Sequence, residues 1–187
     1  MKHSVFLTLS FAALSLAGCK QEATPTADPA ASAMPSDDLG MAPASPAASA
    51  GQTFADTAAA SDMFEIESSK LAASKAQSDK VKRFAEQMIK AHTASTEKLK
   101  TAADAASPAI TPAAQMTSMQ QQALSDLNAK SGAAFDTAYA KVQVDAHQMA
   151  LDALKAYSST GDVPSLKTFA TELVPTVTGH LNMAKGL

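Results

Sequence analysis

Hydrophobic and polar positions alternate at helical spacing over most of the chain's C-terminal two thirds. Phe54, Ala58, Ser61, Glu65, Ala72 and Ala76 fall near one line of a first helix, with Phe64 and Leu71 on its flank. Ser78-Asp79 interrupts that pattern and supplies a cap for the next helix. There Val81, Phe84, Ala85, Met88, His92, Ser95, Leu99 and Ala103 recur at spacings of three and four, the signature of a stripe buried along one helix face. The stretch from Ser107-Pro108 to Pro112 stops it, and a further helix is predicted from about Ala113 until Ser131-Gly132. A longer one runs through Phe135, Tyr139, Val142, Ala146, Met149, Ala153 and Tyr157. Gly161 and Pro164 mark a turn, and the last helix carries Leu166, Phe169, Ala170, Leu173, Val177, His180, Leu181 and Ala184. Pro175 lies inside it, where the missing N–H should bend the axis. Four long amphipathic helices with short turns predict an all-α, antiparallel four-helix bundle, with a short extra helical segment before the third long helix.

The first third of the chain reads differently. Lys2 and His3 precede an apolar run from Val5 to Leu16 and then Leu16-Ala17-Gly18-Cys19. A basic start, a short apolar stretch and small residues before a cut site describe an export signal. The run is shorter than the roughly 20 residues a membrane-spanning helix needs. Leu-Ala-Gly-Cys resembles the lipobox of bacterial lipoproteins. That resemblance implies a signal peptide over residues 1–18 and a diacylglycerol on Cys19, with membrane attachment through its acyl chains. Lys20 in place of aspartate after the cysteine implies sorting to the outer membrane, facing the periplasm. Residues 19–51 hold Pro25, Pro29, Pro35, Pro43 and Pro46 among Ala, Ser and Thr without apolar periodicity, and read as a disordered tether. The folded domain is expected over 52–187.

Composition mainly excludes. Aromatics are 5% of the 187 residues and tryptophan is absent, so alanine, leucine and methionine must fill the core, which suits helices better than sheets. A net charge of −3 with no basic block argues against nucleic acid as a partner. The single cysteine, Cys19, excludes an intramolecular disulfide and any cysteine-rich metal site. No His-Glu-x-x-His, phosphate-binding glycine loop or Gly-x-Ser-x-Gly elbow is present. Met63, Met88, Met116, Met119, Met149 and Met183 are scattered over the helices and read as core fillers.

The chemistry that remains is histidine and glutamate on the buried stripes. His92 and His180 lie on apolar faces, Glu65 on the small-residue face of the first helix, and His147 toward the edge of its stripe, near Asp136 and Gln143. Glu65 and His92 stand thirteen and fourteen residues from the turn near 78, so a rise of about 1.5 Å per residue sets them at nearly one height. The same arithmetic leaves His147 and His180 offset by roughly 7 Å across the turn near 161. Three readings fit. The four residues form a bundle-core site for zinc, iron or copper; or they form a hydrogen-bonded network that fixes register, with Glu65 accepting from His92; or some of the histidines face water. A di-iron centre is disfavoured, because Ile89, Val144 and Val177 stand where Glu-x-x-His requires glutamate.

The folded part also resembles a bacterial exported family known as domain of unknown function 4142, ferritin-like in fold. The residues that carry the resemblance are Ala60 to Glu67 with Leu71-Ala72, Val81 to Ile89 with His92-Thr93, Ser131 to Tyr139, Ala146-His147-Gln148, Phe169-Ala170, Pro175 and His180-Leu181. The chain departs from the family at Ala91, where aspartate commonly precedes the histidine. The resemblance implies structural roles for Phe135, Asp136 and Tyr139, with Asp136 bracing the restarted helix and the Tyr139 hydroxyl paired inside. It implies no reaction, substrate or cofactor. The chain therefore reads as a lipid-anchored, non-enzymatic envelope protein serving interaction with an envelope partner or a stress response, with no cofactor expected. The alternative is a periplasmic metal-binding or redox bundle built on the Glu/His core.

Overall fold

The computed structural model describes residues 48–187. The signal peptide, Cys19 and nearly all of the expected tether lie outside the described residues. Five helices follow: α1 (Ala50–Lys75), α2 (Asp79–Asp104), α3 (Ser118–Asn128), α4 (Gly132–Thr160) and α5 (Pro164–Lys185). The four long ones form an all-α bundle in which α1 pairs with α2 and α4 with α5, while α1 also lies against α4 and α2 against α5. The short α3 rests on α1 and α4.

Local chemistry sets the boundaries. The Ser49 hydroxyl accepts from Gln52 N at 3.1 Å and starts α1, so that helix begins at Ala50, just ahead of the expected domain start. Ser78 caps α2 through Lys80 N, and Pro164, whose absent N–H costs nothing in a first turn, opens α5. Helix α3 begins at Ser118 and not near Ala113. Asp56 of α1 takes the backbone N–H of Ala113 at 2.8 Å and Gln52 donates to Thr111 O, pinning that stretch as a loop. A reciprocal Thr117–Gln120 capping box then starts the helix. Gly132 adopts φ +58°, the left-handed conformation that suits glycine, at the restart into α4. Helix α5 runs unbroken through Pro175, which is exposed, as is Thr171, so water can take the carbonyl the proline leaves unbonded.

The core is divided into three layers along the bundle. At one end Phe54, Leu99, Leu154, Leu166, Phe169 and Leu181 pack together, and Phe54 stacks on Tyr157 with ring centroids 3.9 Å apart. At the other end Ala72, Val81, Phe84, Met88, Phe135 and Tyr139 pack around the α1–α2 turn. Between them every long helix turns polar: Asp62, Glu65, Ser68 and Ser69 on α1, His92 and Ser95 on α2, Gln143 and His147 on α4, and His180 on α5, all buried.

Phe135 and Tyr139 are fully buried, and the Tyr139 hydroxyl lies 2.8 Å from Ser69 Oγ at the border of that polar layer. The partly buried Asp136 reaches across to the α1–α2 turn, accepting from Gln77 N at 3.0 Å and Ser78 N at 2.8 Å, so it braces that turn and not its own helix start. The methionines divide. Met88 is fully buried, whereas Met119, Met149 and Met183 are exposed, so they do not fill the core.

Replacing Tyr139 with phenylalanine strands the buried Ser69 hydroxyl and should cost about 1–3 kcal/mol, while Phe135→Ala should cost about 3–5 kcal/mol. Urea unfolding of the two variants checks both, and equal, negligible losses would contradict this packing.

Candidate metal centre

The polar layer converges on three imidazoles from three helices. The ring centroids of His92, His147 and His180 are 5.7, 5.8 and 5.5 Å apart, close to an equilateral triangle. One ring nitrogen from each lies within 4.8 Å of the other two. Three atoms so placed share a point no farther than about 2.8 Å from each, so sub-ångström shifts would reach the roughly 2.0–2.1 Å of imidazole–metal bonds. The axial offset between His147 and His180 is smaller than a single turn at residue 161 implies, because α4 ends at Thr160 and α5 begins at Pro164. The difference left is about three residues, or roughly 4.5 Å, which side-chain length spans.

Two of the three rings, His92 and His147, are oriented by a hydrogen bond at Nδ1. His92 Nδ1 lies 2.8 Å from Asp62 Oδ1, and the carboxylate can only accept, so Nδ1 carries the hydrogen. His147 Nδ1 donates to the Gln143 carbonyl oxygen, one turn earlier on α4, at 2.8 Å. Both arrangements leave Nε2 facing the interior. A carboxylate or carbonyl behind an imidazole is the support that metal-binding histidines commonly use. His92 Nε2, His147 Nε2 and His180 Nδ1 are buried without any hydrogen-bond partner, as are Glu65 Oε2 and Gln143 Oε1. A purely structural network would pair these atoms, because each buried polar group left bare costs on the order of 1–3 kcal/mol.

Glu65 belongs to the layer but stands outside the triangle. Its Oε1 is 3.6 Å from His147 Nδ1. The partner of His92 is not Glu65, as the register argument suggested, but Asp62, one turn away on α1. Asp62 is thus a member of the layer that the spacing from the turn does not reveal. The available signal was the recurrence of Asp62, Glu65 and Ser69 at spacings of three and four along the small-residue face of α1. His147, expected near a stripe edge, is fully buried.

Burial sets the electrostatics. Desolvation pushes Glu65 up to about 7, against the opposing pull of His92. Desolvation also holds His147 and His180 down near 4, aided by the charge on His92. For His92 desolvation acts in the same downward direction, but the Asp62 hydrogen bond and the Glu65 and Asp62 charges outweigh it and raise the group overall. The layer thus holds one imidazole that favours its proton and two that refuse it, the neutral form that binds metals.

The DUF4142 model, a domain of unknown function, matches residues 37–187, and the chain belongs to that family. Among solved structures the fold is similar to "CopM in the Cu(I)-bound form", with 14% identity and a TM-score of 0.59, covering 73% of this chain and 93% of that one. It is likewise similar to "CopM in the Ag-bound form (by co-crystallization)", with 17% identity and a TM-score of 0.58 over the same shares. At that identity the likeness establishes the fold. No curated protein matches the sequence.

The pKa directions give a signed prediction. Below pH 6.5 the unfolded chain protonates His147 and His180 while the folded chain does not until about pH 4, so stability falls as pH drops through that window. Glu65 acts oppositely: the folded chain takes up its proton near pH 7, the unfolded chain only near 4.5. Glu65→Gln removes that compensation, so the variant should lose more stability than the parent between pH 7 and 4.5. Urea midpoints measured across the range decide it, and parallel or flat profiles would contradict the assignment.

Proposed function

We propose that this protein is an envelope metal-handling bundle that binds one transition-metal ion through His92, His147 and His180. The observation that carries the reading is that three buried histidines on three different helices each bring a ring nitrogen within 4.8 Å of the others, and each keeps a buried ring nitrogen without a partner. Glu65 supplies negative charge beside the site, and Asp62 fixes the His92 ring. Zinc, iron and copper all accept imidazole. Copper is favoured, because the similar fold of CopM has been obtained with Cu(I) and with silver bound. Bound there, the ion supplies a soft, redox-capable centre. The protein's own part is to hold His147 and His180 neutral and to orient His92, which gives up a proton when the ion binds. The absence of Glu-x-x-His sets the site apart from di-iron carboxylate bundles.

The reading includes attachment to the outer membrane through acyl chains on Cys19, with the segment to residue 51 as a spacer that holds the bundle away from the lipid. The lipobox-like Leu16-Ala17-Gly18-Cys19 supports this. No described helix is long and apolar enough to cross a membrane. Handling of a metal agrees with a non-enzymatic role, and exchange with another envelope protein is the partnership it implies.

Anaerobic titration of the purified chain with Cu(I) against a chromophoric competitor should show one ion per chain. Copper at 100 times its dissociation constant should add about 2.7 kcal/mol to unfolding stability. His92→Ala, His147→Ala and His180→Ala should each abolish tight binding, and Asp62→Ala should weaken it about 10–100-fold. Unchanged affinity in all three histidine variants would overturn the proposal.

A further inference from the structure

Beside His92 and His180 the four long helices leave a pocket of about 60 Å³ that is partly open to solvent. Its walls include Ala58, Leu154, Phe169, Leu173 and Val177, and it reaches His92 and His180 without touching His147 or Glu65. The histidine triangle therefore borders a largely apolar pocket at two of its three rings. We propose that this pocket is a binding chamber for a small uncharged molecule of diatomic size, delivered to His92 and His180. The inference rests on the metal reading for what the molecule meets there, and on the cavity alone for its entry.

Size, polarity and charge each narrow the ligand. A site needs roughly 10–15 Å³ to hold one water-sized occupant, so the inner space of about 60 Å³ suits a diatomic or a few waters. Its largely apolar walls favour a weakly polar guest. No lysine or arginine lines this one, while the Asp62 carboxylate does, so an anion would enter without a counter-charge and beside a like charge. Three protein donors are the number that leaves a four-coordinate ion one open position. Carbon monoxide, which is small, uncharged and able to bind Cu(I), is the suitable probe.

Two measurements on the full chain separate the parts of the claim. In the metal-free protein, xenon should bind in the cavity, read by xenon chemical shift. Ala58→Leu, and independently Leu173→Phe, should each lower its affinity about ten-fold by filling the space. In the Cu(I)-loaded protein under carbon monoxide, a single bound C–O stretching band should appear. The same two variants should lose it while retaining one copper, and Val177→Ala, which enlarges the cavity, should keep it. Azide offered in place of carbon monoxide should give no bound band. Absence of xenon binding overturns the chamber. A chain that retains copper but gives no carbonyl band, or gives an azide band as readily, overturns the inference while the metal site stands. A chain that retains no copper overturns the metal reading, and with it the delivery to the histidines.

Discussion

Nine buried polar side chains in a single layer across a helical bundle are the constraint on which the rest of this structure depends. A bundle with so few aromatics has little apolar surface to spare, yet it places three imidazoles, two carboxylates and an amide at mid-height. Each group there must be matched or left at a cost, and five buried atoms of the layer have no partner. Asp62 answers His92, the Gln143 carbonyl answers His147, and Ser69 answers Tyr139. The atoms left bare point together. An arrangement that satisfies one nitrogen of His92 and of His147 and leaves a buried nitrogen bare on all three rings is unfavourable for stability alone, but suited to holding an ion.

The apolar layers above and below make this tolerable. Phe54, Tyr157 and Phe169 anchor one end, and Phe84, Phe135 and Tyr139 the other. They clamp the four helices on both sides of the polar layer and keep water from relieving it. Asp136, by fastening the α1–α2 turn, fixes the height of α1 against α4 and hence of Asp62 and Glu65 against His147. The same dry surroundings hold His147 and His180 in their neutral, metal-competent form.

The helices and their pairing were legible in the sequence because the apolar stripes of α2, α4 and α5 repeat at three and four and the turns carry Ser78, Gly161 and Pro164. The burial of His92 and His180 was legible for the same reason, since each interrupts an apolar stripe, whereas the burial of His147, toward the edge of its stripe, was not. The identity of the outer partners was not. Asp62 and Glu65 occupy neighbouring turns of one face, and the choice between them rests on a helix offset that counting residues fixes only to about one turn. The start of α3 was hidden because it depends on Asp56 capturing a backbone N–H 57 residues away. The fate of Met119 and Met149 was hidden too, because α3 covers less of α4 than its apolar residues suggest.

The methionine thioethers, with Met119, Met149 and Met183 the exposed ones, are the competing soft donors among the described residues, which makes the ligand atoms themselves the decisive observable. X-ray absorption at the copper edge of the Cu(I)-loaded chain tests the central claim most directly. The account predicts about three nitrogen scatterers near 2.0 Å with the outer-shell pattern of imidazole and no sulfur. A sulfur shell near 2.3 Å, unaltered when His92 is replaced by alanine, would place the metal on the methionines and leave the histidine layer without the role assigned to it.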